Sequence, residues 1–286
     1  IRKETCRAVK EEDVDASVLP SKKEAANGTA NGSNDDENSG LLSVAKKVVA
    51  RMKVGQELTH FEMPAQFCTE YTTVMCSGDV LGLLEASDRD FVDLKRDDIG
   101  EEEQMLAVVQ FMLDVHSLRA FDSLATSPTV MYPVKPMKKP CNSVLGETHG
   151  LQCGNTRFKA EQISHHPPTT AACIHKRDIG LMYSMNLTPK PYFEGTGVRV
   201  FLNALRELKL QGTGREYQVI SSPDVTLRFI GIHGFYYEDV GDLVICCSKK
   251  KEGDSTGDLV ARLRMLPCGT MGKRTRLNRV EGEIVR

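Results

Sequence analysis

Tryptophan is absent from this chain of 286 residues, and aromatic residues of every kind make up only 6% of it. That scarcity argues against single-stranded nucleic-acid binding, which stacks bases on aromatic side chains. Net charge is nearly absent too. The 37 Lys and Arg against 39 Asp and Glu leave −2, so no global field draws the chain to nucleic acid, and any basic surface is local. No uninterrupted apolar run approaches the ~18 residues of a membrane span, and no charged-then-apolar leader opens the sequence. The first residue is Ile and not Met, as expected at the boundary of a fragment. None of the nine cysteines forms a Cys-x-x-Cys pair, and their number is odd. Reduced, mostly packed thiols in a cytoplasmic protein are the reading that follows. Catalytic signatures are missing as well: there is no Gly-x-Ser-x-Gly elbow, no P-loop and no metal-ligand set. The sequence therefore predicts no enzyme, no cofactor and no metal.

What is present divides sharply along the chain. The 40% hydrophobic content suits a globular core. Residues 1–40 read as a disordered arm, because Ala25–Gly40 has no large apolar side chain to offset the entropy of ordering. From Leu41, the residues Leu41, Val44, Ala45, Val48, Val49 and Met52 fall at helical spacing up to Gly55. That helix either packs on the core or touches anionic lipid. A second helix is capped by Asp97 or Asp98, with Glu101–Glu103 at the positive end of its dipole. Its apolar face is predicted to be Met105, Leu106, Val109, Met112 and Leu113. Four prolines make Thr126–Pro140 irregular.

After Gly146 the texture becomes β. Leu181–Leu187, Val198–Leu202, Glu216–Ile220, Val225–Ile232 and Leu243–Cys247 are short runs separated by Gly, Pro, Asp or Ser. Such spacing predicts a mainly antiparallel β architecture.

One stretch carries chemistry: Glu161-Gln162-Ile163-Ser164-His165-His166-Pro167-Pro168. Each proline fixes its own φ and pushes the preceding residue toward extended geometry. Two neighbouring imidazoles on a stiff backbone form a candidate anion grip, although adjacent histidines without context are usually surface or strand residues. Upstream lies Lys139-Pro140-Cys141-Asn142-Ser143-Val144-Leu145-Gly146-Glu147. The first string resembles the E-Q-V-S-H-H-P-P signature of the oxysterol-binding protein family, with Ile163 for Val. The second resembles that family's K-P-x-N-P-x-L-G-E segment, with Ser143 for the second proline. Gly55–Phe67 is similar to the family's lid region, Glu101–Val109 to its R-M-L-x-V helix with Gln104 for arginine, and Leu277–Ile284 to its N-x-v-x-G-x-i segment.

The resemblance, over residues 41–286, implies a mainly β (α+β) lipid-binding domain. Its form is a large incomplete antiparallel β-barrel with a central lipid tunnel, an N-terminal lid at about 53–75 and helical segments. It also implies a continuation beyond the N-x-v-x-G-x-i segment, so the domain is expected to be truncated at its C-terminal side. The implied activity is non-enzymatic: carrying a sterol or other lipid and exchanging it for phosphatidylinositol 4-phosphate between membranes. The alternative is a lipid sensor that signals to a protein partner without net transport.

His165, His166, Lys139 and Asn142 are the expected headgroup-binding residues, and Leu58, Phe61, Met63 and Phe67 the expected lid and lipid contacts. A phosphomonoester presents three strong acceptor oxygens and about −1.5 to −2 charges; the imidazoles supply donors and Lys139 a point charge. Met63-Pro64-Ala65-Gln66-Phe67 leans toward the lid of sterol-binding members. Lys249, Lys250, Lys273, Arg274 and Arg276 are either solvated loop charge or a surface for transient membrane docking, each worth about 1 kcal/mol beside an anionic leaflet. The expected partners are thus a lipid ligand and membranes touched peripherally, with no nucleic acid. The chain is expected to be a monomer in the cytoplasm, peripheral at organelle membranes.

Overall fold

The computed structural model describes residues 7–8, 50–61, 64–65, 68–86, 94, 96, 98–124, 139–229, 235–249, 251–254, 257–267 and 279–286. The helix expected from Leu41 lies outside these residues up to 49; Ala50–Gly55 is turn and irregular chain. Most of the 1–40 arm is outside them too. Two residues of the arm expected to be disordered, Arg7–Ala8 (β1), instead pair antiparallel with Gln152 and Leu151.

The architecture is mainly β, as expected. Eleven strands form one sheet in the order β1-β4-β5-β6-β7-β8-β10-β11-β12-β13, with β9 between β8 and β11, and every pairing in it is antiparallel. Its members are β4 (Thr148–Cys153), β5 (Thr156–His165), β6 (Pro168–Lys176), β7 (Leu181–Phe193), β8 (Gly197–Leu210), β9 (Glu216–Ser221), β10 (Asp224–Phe229), β11 (Phe235–Lys249), β12 (Val260–Leu266) and β13 (Arg279–Val285). A separate parallel pair joins β2 (Cys68–Thr72) to β3 (Lys139–Cys141). Among the described residues, three α-helices accompany them: α1 (Thr73–Cys76), α2 (Asp79–Ala86) and α3 (Glu101–Leu124). Among the described residues, no helix is long and apolar enough to cross a membrane.

Alternation sets the inner face. Along β5, Thr156, Phe158, Ala160 and Gln162 are buried while Arg157, Lys159, Glu161 and Ile163 are exposed, the period-2 pattern of a half-buried strand. Helices α2 and α3 pack on the inner face. Val80, Leu84, Met105, Val108, Phe111 and Met112 share a core with Phe158, Ile174, Tyr183, Leu208 and Ile245. The ring of Phe111 meets that of Tyr183 edge-on at 5.4 Å. Leu106, expected on the helix's apolar face, is 59% exposed. The buried stripe runs through Met105, Val108, Val109 and Met112 and includes Gln104 and Phe111 instead, because sheet and α2 both flank α3.

Two strands differ from expectation in informative ways. β7 continues past Leu187, through Pro189 and Pro191, to Phe193. Pro189, Pro191 and Phe193 share one side of the backbone, where Pro191 O and Phe193 O accept from the 55–58 segment, so the missing proline N–H groups cost the β8 ladder nothing. β9 and β10 sit opposite β8 in a single unbroken register, Arg206↔Val219 and Val225↔Val200, and act as one strand interrupted at Ser222-Pro223. At the edge, Gly282 lies so close to β12 that a Cβ there would stand 2.3 Å from the Arg262 carbonyl oxygen.

The start of α3 is fixed by charge. Arg286 pairs with Glu101 (2.5 Å) and Glu102 (3.2 Å). Deeper in, the Arg215 guanidinium donates to both Asp254 oxygens (2.8 and 2.6 Å) and to Gln104 Oε1 (2.9 Å), with both ions nearly fully buried. Gln104 Oε1 also accepts from Thr213 and Tyr217. An arginine at 104, as in the resembling helix motif, would oppose Arg215; glutamine suits this environment. Burial pushes the Tyr217 phenol up. Arg215 holds the Asp254 carboxyl below the ordinary carboxylate range, so the stability the pair confers is complete at neutral pH and lost as pH falls through that lowered value. Arg215→Met is expected to lower unfolding free energy by about 3–5 kcal/mol at pH 7. In denaturant titrations that deficit should narrow as the solution is acidified; a deficit independent of pH would refute the linkage.

Candidate functional site

The double histidine occupies the turn of the β5–β6 hairpin. β5 ends at His165 and β6 begins at Pro168, and these two residues are paired across the hairpin. The chain expected to stay extended at His166 instead reverses there, with a cis His166–Pro167 peptide, the arrangement found at the centre of proline-containing tight turns. Just before the turn the ladder shifts register, from Gln162↔Thr170 to Ser164↔Thr169. Thr169 Oγ1 donates to Pro167 O (3.3 Å) and lies 3.0 Å from Thr188 Oγ1 of β7, fixing the turn against its neighbour. Both imidazoles are exposed, and their ring centroids stand 4.5 Å apart.

The Lys139–Glu147 segment reaches the same end of the sheet. Gly146 N donates to Gln162 O (2.9 Å), and Gln162 N to Glu147 O (2.9 Å). Gly146 has φ +80°, a left-handed conformation that favours glycine. Lys139 Nζ donates to Asn142 Oδ1 (2.7 Å) and Pro140 O (3.0 Å), so these two expected site residues touch each other. The structure brings their loop to β5 at Gln162, three positions before His165, and shows no direct bond from Lys139 or Asn142 to either imidazole among the described residues.

Ser143, at the position of the motif's second proline, has a structural use that proline lacks. Its buried hydroxyl accepts from Val74 N (3.1 Å) and lies 3.0 Å from Thr73 Oγ1, so it satisfies a donor in the first turn of α1. Thr72 caps the same helix and donates its hydroxyl to Glu147 Oε1. Cys141 Sγ donates to Thr69 O (3.1 Å). These bonds weld the 68–76 segment to the Lys139–Glu147 loop.

The front of the expected lid lies on β7. Gly55 N bonds Phe193 O (2.7 Å), Phe193 N bonds Gln56 O (3.0 Å) and Leu58 N bonds Pro191 O (2.8 Å). Leu58 is buried and Phe61 half-buried, while Met63 and Phe67 lie outside the described residues. A groove of about 910 Å³ opens beside this junction, lined by Val54, Lys190, Tyr192, Phe201 and Asn203 among others; it does not include the histidine turn. Of the basic candidates, exposed Lys249 bonds Glu216 Oε1 (3.2 Å), and Lys250, Lys273, Arg274 and Arg276 fall outside the described residues.

His60 is the residue that sequence reasoning missed. Its ring stands 5.3 Å from that of His166. Its only signal in the sequence is membership of the Gly55–Phe67 string, and no local period reveals a neighbour so distant along the chain.

The family model described as "Oxysterol-binding protein" matches residues 47–286. The chain is 28% identical over 229 residues, 78% of its length, to oxysterol-binding protein-related protein 4B of Arabidopsis thaliana, covering 52% of that protein. It is 24% identical over 247 residues, 84% of its length, to oxysterol-binding protein 10 of Dictyostelium discoideum, covering 55% of it. The chain thus spans about half the length of the curated relatives it matches. Among solved structures it is similar to the Osh1 ORD domain in complex with cholesterol, with TM-score 0.62 and 19% identity over 85% of this chain and 50% of that one. It is also similar to the Osh3 ORD of Saccharomyces cerevisiae in complex with PI(4)P, with TM-score 0.60 and 19% identity over 82% and 54%. Likeness at this level of identity establishes the fold.

The weld at Ser143 is directly testable. Ser143→Ala strands the Val74 donor and is expected to cost about 1–3 kcal/mol, read as a lower melting temperature. An unchanged melting temperature would show the bond to be dispensable.

Proposed function

The chain belongs to the oxysterol-binding protein family, and from that premise we propose that it binds lipids and exchanges a sterol for phosphatidylinositol 4-phosphate between membranes. The observation that carries this reading is the pair of exposed imidazoles at the β5–β6 turn. Their ring nitrogens bond to no group among the described residues, so they are free to donate to a phosphate. Lys139 and Asn142, in the loop tied to β5 at Gln162, supply further polar contacts to the headgroup. Leu58 and Phe61 are the lid's apolar contribution. A phosphomonoester dianion accepts charge-assisted hydrogen bonds from such imidazole and lysine donors. The related ORD structures with cholesterol and with PI(4)P make both ligand types reasonable for this fold. The 41–286 span is proposed as the lipid-binding unit, preceded by the 1–40 arm and acting as a monomer at membrane surfaces. Lys249 and the basic residues at 250, 273, 274 and 276 are proposed as weak surface contacts.

The test is transfer between donor and acceptor liposomes with an opposing phosphoinositide gradient. Wild type should accelerate sterol transfer, and His165→Ala/His166→Ala should reduce phosphoinositide extraction at least tenfold, about 1.4 kcal/mol or more. Undiminished extraction by the double variant would defeat the headgroup assignment. Binding without accelerated transfer would favour a lipid sensor over an exchanger.

A further inference from the structure

The edge of β7 explains how His60 reaches the histidine turn. β6 pairs with β7 only as far as Thr170↔Leu187, after which the hairpin turns away. The 55–58 segment then takes the vacated edge, at Phe193 and Pro191, running antiparallel to β7 and so toward the turn. A turn at residues 59–60 closes with Phe61 N donating to Leu58 O (3.0 Å) and presents an exposed imidazole. His60 stands 5.3 Å from His166 with the planes at 47°, and His166 stands 4.5 Å from His165 with the planes at 59°. His166 is therefore the middle ring of a row of three.

The nitrogens of these rings have no bonding partner among the described residues. The nearby acid of the lid, Glu57, is engaged by Thr59 Oγ1 (2.7 Å) and by the Tyr192 hydroxyl (3.4 Å). Among the described residues, no group of His, Cys, Asp or Glu is arranged to hold a metal ion. A gathering of donors with neither acceptor nor metal matches an anion that offers several acceptor oxygens.

We propose that His60 is a third anion-binding imidazole, so that a phosphomonoester gripped by His165 and His166 is also bonded by the lid segment. The inference rests on the headgroup reading above and extends it: occupancy of the phosphate site holds the 55–61 segment on β7. By linkage, docking of that segment and binding of the anion strengthen each other by the same factor. His60 is thus a ligand-binding and lid-positioning residue in one.

The experiment compares wild type, His60→Phe and His165→Ala/His166→Ala, each as the full chain. His60→Phe keeps a ring beside His166 and removes the donors; His60→Ala serves should phenylalanine perturb folding. Affinity is measured for vesicles containing phosphatidylinositol 4-phosphate and for vesicles containing sterol alone. Amide exchange at Leu58 and Phe61 is followed with those vesicles, with soluble inositol 1,4-bisphosphate and with inorganic phosphate. The expected result is about tenfold weaker binding of the phosphoinositide by His60→Phe, unchanged sterol binding, and ligand-induced protection of Leu58 in wild type that is lost in the variant. Protection by the soluble inositol phosphate but not by inorganic phosphate would identify the headgroup as the source of the anion; protection by both would show that phosphate alone suffices. Wild-type phosphoinositide affinity in His60→Phe, alongside weakened binding in the double variant, would overturn the role of His60 and leave the headgroup reading standing. Full affinity in both variants would overturn both.

Discussion

Backbone amides and carbonyls that leave water must find partners, and the second half of β7 shows how much follows from that demand. β6 abandons β7 after Leu187, leaving Thr188–Phe193 bonded on the β8 side alone. Two prolines reduce the number of donors that need satisfying on the open side, and the 55–58 segment satisfies what remains. The 55–58 segment is therefore placed by the sheet's hydrogen-bond ladder. Leu58 is buried and His60 delivered to the histidine turn because residues 55–58 bond along β7 and a turn at 59–60 follows them.

Much of the fold was legible because its cause is local. The punctuated runs at 181–187, 198–202, 216–220 and 243–247 and the acidic start of α3 all follow from side chains close in sequence. The candidate site was legible for another reason: the octapeptide and the Lys139–Glu147 string are rare combinations, and the two meet through the Gln162 bonds. What stayed hidden was long-range. Proline at 189 and 191 signalled an end to β7, and only the presence of a one-sided edge makes those residues harmless. Leu106 fits a helical period centred on its own turn, yet the packed face is decided by what flanks α3. His60 meets His166 across more than a hundred residues, a distance no periodicity can report.

Two of the three departures from the family strings, at 104 and 143, are chemically consistent with their surroundings. Gln104 is an acceptor where Arg215 supplies the positive charge, and the pair with Asp254 leaves the guanidinium well satisfied. Ser143 is a hydroxyl where α1 offers an unpaired N–H. In both cases the side chain answers a neighbour brought to it by the fold. Substitution toward the commoner family residue would place like charge against like charge at 104 and remove a bond at 143.

The register shift before the histidine turn has a consequence in counting. Residues directly opposed in an antiparallel ladder lie on the same face, and alternate residues share a face. Gln162 opposes Thr170, and His165 opposes Pro168, two positions from Thr170 on β6. Gln162 and His165, though an odd number of residues apart, therefore lie on the same face of the ladder. An unshifted strand of the same length would have turned His165 to the opposite face. The parity of three residues thus ties the face of the first imidazole to the shift, and a single deletion between Gln162 and His165 would keep that face only by abolishing the shift.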